Sequence, residues 1–230
     1  MPDKNKTSQP ASGLLEEEAY QRIKHAIIDG SFSPADKLSI RGVCATLSLS
    51  PMPVRAALRR LINERALDAT ASGTALVPRL TRQEFQELTQ MRLQLEPLAL
   101  RLAAPHLTAS DYAKLNALVA SHEAARLAGD PAGVRQADTD FMLALYRASR
   151  SQLLLSFIES LWLRRSPFFW EARWALLSAS TSTSRAPHRH SEIIHALQGG
   201  DIDAAQAFLT DEIQSACQFL LDVMSFKDDT

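Results

Sequence analysis

The first eighty residues alternate between helical and extended patterns of apolar positions. A helix is predicted from Leu14 to Asp29, turning Leu15, Ile23, Ala26 and Ile27 inward and ending at Gly30. After the turn-rich stretch SFSPADKLS, Ser39 is placed to cap a short helix from Ile40 to about Leu47. Ser50-Pro51 then supplies an N-cap and a first-turn proline for a helix reaching about Arg65, with Val54, Ala57, Leu58 and Leu61 on its inner stripe. The segments LDAT and TALVP read as two short strands around a turn at Gly73. Residues 1–13 are polar and aperiodic and are expected to be a disordered tail.

From Thr81 the pattern becomes helical throughout. Thr81 and Glu84 have capping-box spacing. Helices are expected near 81–103, 108–128, 131–148, 152–179, 187–198 and 201–226. Pro105, Pro131, Pro187 and Gly199-Gly200 punctuate them, and Pro97 should kink the first. The Ser/Thr-rich run at 178–184 reads as a loose connection. The fold class is therefore mainly α, a winged helix-turn-helix followed by an all-α bundle. The expected division is 14–78 for the front domain, 79–82 for a linker and 83–226 for the back domain.

Composition narrows the class of protein. The chain has 230 residues, 46% hydrophobic and 22% charged, which fits one or two globular units. No apolar run reaches the roughly 18 residues of a spanning helix and the first residues lack a signal core, so a cytoplasmic location is expected and no membrane partner. Cys44 and Cys217 form neither a CxxC pair nor a disulfide framework and read as small core fillers. The net charge of -1 conceals a split: residues 1–82 hold 12 Lys+Arg against 8 Asp+Glu, the remainder 13 against 18. A basic front and an acidic back suit a nucleic-acid reader joined to a second domain.

In the front, a short helix, a tight turn and a second helix can present the second helix's N-terminal end to a DNA major groove. The inner stripe leaves Arg55 and Arg59, one turn apart, on the opposite side, where a guanidinium can pair with phosphate or read guanine. The Ser50 hydroxyl can bind phosphate, and Ser72 with Gly73 at the hairpin tip can approach the DNA backbone closely. A plain solvated face for Arg55, Arg59 and Arg60 is the competing reading.

These elements, and above all LSIRGVCATLSLSPMPVRAALRRL, make Ala19 to Val77 resemble the winged helix-turn-helix of GntR-family bacterial repressors. The resemblance implies that Arg41, Ser50, Met52, Arg55 and Gly73 contact operator DNA. Departures are Pro51 where the family usually has arginine, Met52 for threonine, Ser48 for glycine, and Ile40, Gly42 and Ala56 for acidic residues. Loss of the arginine removes one expected DNA contact.

In the back, steps of three and four residues place Arg92 in the stripe of Phe85, Leu88, Leu95, Ala99 and Leu102. The same arithmetic puts Asp138 with Val134, Phe141 and Leu145, His190 with Ile193, Ile194 and Leu197, and Glu212 with Ala205, Leu209, Ala216 and Phe219. Burying four ionisable groups demands partners, a ligand or water. Asp138, His190 and Glu212 form an oxygen/nitrogen set suited to a divalent metal, and Arg92 could grip an organic carboxylate. Arg92 and Glu96 are also spaced to pair with each other. The aromatic patch from Phe157 to Trp174, with Arg164, Arg165 and Arg173 interleaved, suits cation-π contacts, anion binding, a dimer surface or ordinary packing. His188 and His195 fall off the inward stripe and should be exposed.

Residues 83–226 resemble the helical effector-binding (FCD) domain of the fatty-acid-regulator branch, in its shorter six-helix form, through MRLQLEPLALRLAA, DTDFMLALYRAS, HSEIIHALQGGD and DAAQAFLTDEI. In that family an aspartate and three histidines commonly hold a metal beside a small carboxylate. By position Asp138 and His190 match, while Met142 and Glu212 stand where two of the histidines would be. Two alternatives follow: three ligands holding zinc, nickel or manganese weakly, or a metal-free pocket lined by Met142. The resemblance implies a homodimeric transcription regulator, usually a repressor, that binds an inverted-repeat operator under control of a small carboxylate metabolite through Arg92, Asp138, Met142, His190 and Glu212. Competing readings are an effector-free DNA-binding regulator and a metal-dependent hydrolase. The hydrolase lacks support because no nucleophile elbow, P-loop, HExxH or dinucleotide fingerprint is present, and no enzymatic activity is expected.

Overall fold

The computed structural model describes residues 9–179 and 189–227, with side chains at 13–165, 170 and 189–227. The first helix, α1 (Gln9–Ile28), starts five residues before the expected Leu14, so residues 9–13 are helical rather than part of a tail. Leu15, expected inside, is exposed, whereas Ala19, Ile23, Ala26 and Ile27 are buried. Strand β1 (Lys37–Leu38) precedes α2 (Ile40–Leu47), whose N-cap Ser39 accepts from the Gly42 N–H. Ser48 closes α2 in the left-handed region at φ 51°, a conformation that costs a non-glycine residue energy. Arg22 donates to the Leu47 carbonyl and steadies this turn.

Helix α3 (Pro51–Asn63) buries Val54, Ala57, Leu58 and Leu61 against α1, as the stripe predicts. Strands β2 (Asp68–Ala69) and β3 (Ala75–Leu76) form the hairpin, with Gly73 at φ +79° in its turn. The structure adds β1 to them, giving the antiparallel order β1-β3-β2 with Leu38 opposite Ala75 and Ala69 opposite Ala75 on the other side. Two residues are too few to show alternation, so β1 left no signal in the sequence.

The back segment is helical: α4 (Arg82–Ala103), a 3-10 turn at Ala104–His106, α5 (Ala109–Leu127), α6 (Pro131–Arg147), α7 (Gln152–Ala179), α8 (His190–Gln198) and α9 (Ile202–Val223). Thr81 and Glu84 form the expected capping box. Helix α4 continues through Pro97, whose carbonyl accepts from Gln206 Nε2 of α9. The inward stripe of α4 is rotated from the predicted one: Leu102 is exposed and Leu95 half-buried, because Ala103 and Leu100 turn inward instead. Cys44 and Cys217 are partly buried and pack beside the core clusters. The expected connection at 178–184 and His188 fall largely or wholly outside the described residues, while His195 is exposed. Among the described residues no helix is long and apolar enough to cross a membrane.

The head sits on the bundle through α7. Trp170 Nε1 donates to the Ile28 carbonyl at 3.1 Å, Lys24 pairs with Glu159, and Arg164 donates to the Arg65 carbonyl. Gly30 makes this approach feasible: at φ +75° it adopts a glycine conformation, and a Cβ there would lie 2.4 Å from Trp170 Cδ1. The linker is tied down by the end of the chain described. Arg79 donates to the Phe226 carbonyl at 3.3 Å, the Lys227 N–H donates to the Leu80 carbonyl at 3.0 Å, and Leu80, Phe85, Leu88, Trp170, Leu220 and Phe226 share one apolar cluster.

Candidate functional site

The seven candidate DNA-contacting residues Arg41, Ser50, Met52, Arg55, Arg59, Ser72 and Gly73 are all exposed on the head. Burial of Pro53, Val54, Ala57, Leu58 and Leu61 fixes the rotation of α3, so Arg55 and Arg59 point away from the core. Ser50 has extended backbone at the N-cap, and its side chain makes no capping hydrogen bond. At the hairpin tip Ser72 Oγ lies 3.0 Å from Thr70 Oγ1 and 3.4 Å from Thr74 Oγ1. Arg60 differs from its neighbours: it bonds Glu17 and Glu64 and lies 3.6 Å over the Tyr20 ring, so its role is to join α1 to α3.

Within the bundle, Asp138 of α6, His190 at the first position of α8 and Glu212 of α9 converge. His190 Nε2 is 3.5 Å from Glu212 Oε1 and 3.8 Å from Asp138 Oδ1, and one donor atom from each of the three lies within 4.8 Å of the others. Two donors each about 2.0–2.2 Å from a shared tetrahedral ion stand about 3.3–3.6 Å apart, so the set can hold a divalent cation once its three donor atoms, spread over at most 4.8 Å, draw together. Phe141, one turn beyond Asp138 on the same face, stacks on the His190 ring at 3.8 Å and 9° and fixes its plane. The Arg189 N–H donates to Glu212 Oε2 at 3.2 Å. Met142 is buried beside the set, with Tyr146 Oη 3.9 Å from its sulfur.

Arg92 pairs with Glu96. Its Nε donates to Oε1 at 2.6 Å and its Nη2 to Oε2 at 3.2 Å. Glu96 is fully buried and also accepts from Tyr146 Oη at 2.7 Å and Trp162 Nε1 at 2.8 Å. Burial by itself would raise the Glu96 carboxyl, but the Arg92 guanidinium, helped by Arg165 and the Trp162 N–H, outweighs it and holds the carboxyl below its usual range. Burial and the facing Glu96 carboxylate push the Tyr146 phenol well above its ordinary value.

A cavity of about 20 Å³ lies between these groups; Arg92, Asp138, Met142 and Glu212 line it, with Trp162 and Trp170. His190, the third donor, lies 3.5 Å from Glu212 and 3.8 Å from Asp138 but does not itself line the cavity. This space holds one water or one ion. Ile28, the last residue of α1, and the buried Arg165 complete its wall. Arg165 lies 6.0 Å over the Trp162 ring. Trp174, Phe168, Phe169 and Arg173 fall outside the described side chains.

Sequence reasoning did not single out His122 of α5, buried with its ring 6.4 Å from that of His190, nor the part of Ile28 and Trp170 in the wall. A signal for His122 exists, since Leu115, Leu118 and His122 follow the same three-and-four spacing. For Ile28 there is none, because the approach of α1 to α7 is a long-range contact.

Comparison with known proteins supplies an independent line. Residues 87–215 match the FCD domain, and residues 15–76 match the bacterial regulatory proteins of the gntR family. The HTH-type transcriptional regulator McbR of Escherichia coli K12 is 32% identical over 145 residues, spanning 63% of this chain and 66%, just under two thirds, of McbR. The solved structure of E. coli McbR/YncC superposes with a TM-score of 0.78 at 26% identity, covering 90% of this chain and 97% of that one. A GntR-type regulator structure from Rhodococcus sp. RHA1 shares the fold, with a TM-score of 0.68 at 24% identity over 91% of this chain and 99% of its own.

Proposed function

Since this chain belongs to the GntR family of bacterial regulatory proteins and carries an FCD domain, it is a DNA-binding transcription regulator and no enzyme, and we propose that it is a cytoplasmic repressor whose grip on DNA is set by a small carboxylate metabolite. Residues 14–78 form the DNA-reading domain and 83–226 the effector domain in this reading, with 79–82 as the linker. Arg41, Ser50, Met52, Arg55, Arg59, Ser72 and Gly73 contact an inverted-repeat operator, and two copies of the chain supply its two halves.

The observation that carries the effector reading is the convergence of Asp138, His190 and Glu212 within 4.8 Å beside a cavity that shares a wall with the head. Zinc, nickel or manganese would be held by those three side chains and would supply the positive charge that attracts a carboxylate. Met142 and Trp162 give the apolar side of the site, and Arg165 adds a second cationic side chain at its wall.

The cavity is too small for an organic acid, so an acid must displace part of the wall. Trp170 and Ile28 belong to that wall and are hydrogen-bonded to each other, so displacement there shifts the end of α1. Only the difference in acid affinity between the two head arrangements changes DNA binding. A coupling of about 1–3 kcal/mol alters operator affinity roughly 5- to 150-fold.

The test uses untagged full-length protein prepared without chelator. Elemental analysis is expected to find one equivalent of divalent metal, lost in Asp138→Ala and Glu212→Ala. The same protein is then used to select duplexes from genomic fragments, and gel shifts with and without small organic acids follow. Metal-free protein removes the ion from the proposal, selected duplexes indifferent to every acid favour an effector-free regulator, and failure to retain any duplex defeats the DNA assignments.

A further inference from the structure

The tip of α3 is poor in hydrogen-bond donors. A helix ordinarily opens with several N–H groups that have no partner within it and can grip a phosphate. In α3 the first and third helical positions are Pro51 and Pro53, which have no N–H, and the Val54 N–H donates to the Ser50 carbonyl at 3.4 Å. Of the N–H groups that the first three helical positions would present, only that of Met52 remains. The same sequence accounts for the uncapped Ser50 hydroxyl, because one of its usual partners, the N–H of the third position, is missing.

What the tip offers instead is apolar. Pro51 is exposed, and Met52 is 77% exposed, the highest value for a large apolar side chain among the described residues. Met52 precedes Arg55 by three positions, and Arg59 follows Arg55 by four, so the three share the face opposite the buried Val54, Ala57, Leu58 and Leu61. The packing of the head does not use Met52, since buried Pro53 and Val54 are the residues that anchor the tip. Its thioether accepts hydrogen bonds weakly and donates none.

We propose that Met52 recognises the C5-methyl group of a thymine in each operator half-site; the proposal rests on the DNA-reading assignment given above. In the major groove that methyl is the apolar feature by which a base edge differs from the others. Against guanine, adenine or cytosine the Met52 side chain would cover polar atoms that lose water and gain no partner. The two prolines sharpen the choice. A tip rich in N–H groups is drawn to phosphates, which carry no sequence information, whereas this tip has little to offer a phosphate and an apolar arm to offer a base. Arg55, one turn further along the same face, supplies the polar contact beside it.

Duplexes that the full-length protein retains from a randomised pool are the probe. Each thymine of the selected half-site is replaced by uracil, which removes the methyl and leaves the hydrogen-bonding edge unchanged, and affinity is read by fluorescence anisotropy. One thymine per half-site is expected to matter, with a loss of about fourfold when one half-site is changed and about 16-fold when both are, the worth of one buried carbon each. Met52→Leu keeps the difference between thymine and uracil. Met52→Gln, similar in length but tipped by an amide, abolishes it and moves the selected base toward adenine. Replacing the same thymine by cytosine and then by 5-methylcytosine regains about fourfold in wild type and nothing in Met52→Gln. Selected duplexes in which no uracil replacement weakens wild type overturn the proposal, as does an equal loss in Met52→Gln. Either result is obtained on a retained duplex and so leaves the DNA-reading assignment standing; if wild type retains no duplex, that assignment and this proposal fall together.

Discussion

Glu96→Gln tests how the buried centre of the bundle is held. The carboxylate accepts four hydrogen bonds, from Arg92 Nε and Trp162 Nε1 at one oxygen and from Arg92 Nη2 and Tyr146 Oη at the other. Glutamine keeps the shape but turns one oxygen into an NH2 donor. Tyr146 can rotate its hydroxyl to accept, yet in either amide orientation an Arg92 N–H faces the new donor, and guanidinium and indole have no lone pair to offer. Arg92 also keeps its charge while buried. Breaking a buried pair by removing one partner costs about 3–5 kcal/mol. At about 2–4 °C per kcal/mol for a chain of this size, the melting temperature should fall by about 6–20 °C. Thermal unfolding at pH 7 followed by circular dichroism measures it, with urea unfolding as a second readout. Arg92→Met combined with Glu96→Gln removes the stranded charge and should recover more than half of the loss. A loss under about 1 kcal/mol in the single variant refutes the reasoning, because it would mean that the pair is hydrated rather than buried.

Three further outcomes are expected. Arg55→Ala should weaken binding to a selected operator by about 1–3 kcal/mol if the guanidinium reads a base, or flatten the salt dependence by about one unit of slope if it meets phosphate; unchanged affinity and slope in a gel-shift titration would clear Arg55 of both roles. Gly30→Ala should destabilise by more than about 1–2 kcal/mol, the cost of a left-handed alanine, because its Cβ must also displace Trp170; a wild-type melting temperature would show that α7 does not press on that turn. Because the Glu96 carboxyl is depressed in the folded state, its contribution is present above the unfolded value of about 4.3 and is lost as pH falls through the lower folded value. Stability should therefore drop more steeply with acid in wild type than in Glu96→Gln, and parallel pH profiles would contradict the assignment.

Much of the fold was legible because local chemistry set it. Ser39, Ser50-Pro51 and the Thr81–Glu84 box mark helix starts that the structure keeps. The inward register of Asp138, His190 and Glu212 was readable since each shares a stripe with buried residues of its own helix. Long-range contacts were not readable. Leu102 was placed inside by spacing alone, but α4 has α9 on one flank and α7 on another, and the exact rotation that satisfies both exposes Leu102. Arg92 stood on the correct stripe, yet Tyr146 and Trp162, 50 and 66 residues from Glu96, complete its network. No local pattern announces Ile28 as a wall of the cavity, because Gly30 reads simply as a helix stop and only the folded chain shows Trp170 against it.

The clasp between the linker and the residues after α9 also orders events while the protein is being made. Arg79 and Phe226 are 147 residues apart. At about 5–20 residues per second, the ribosome delivers the second roughly 7–30 s after the first. The head has every residue of its own core long before then, so it can fold while its hinge is still undocked. A nascent chain therefore carries a folded but unsteered head, and fixing its orientation is among the last steps of maturation.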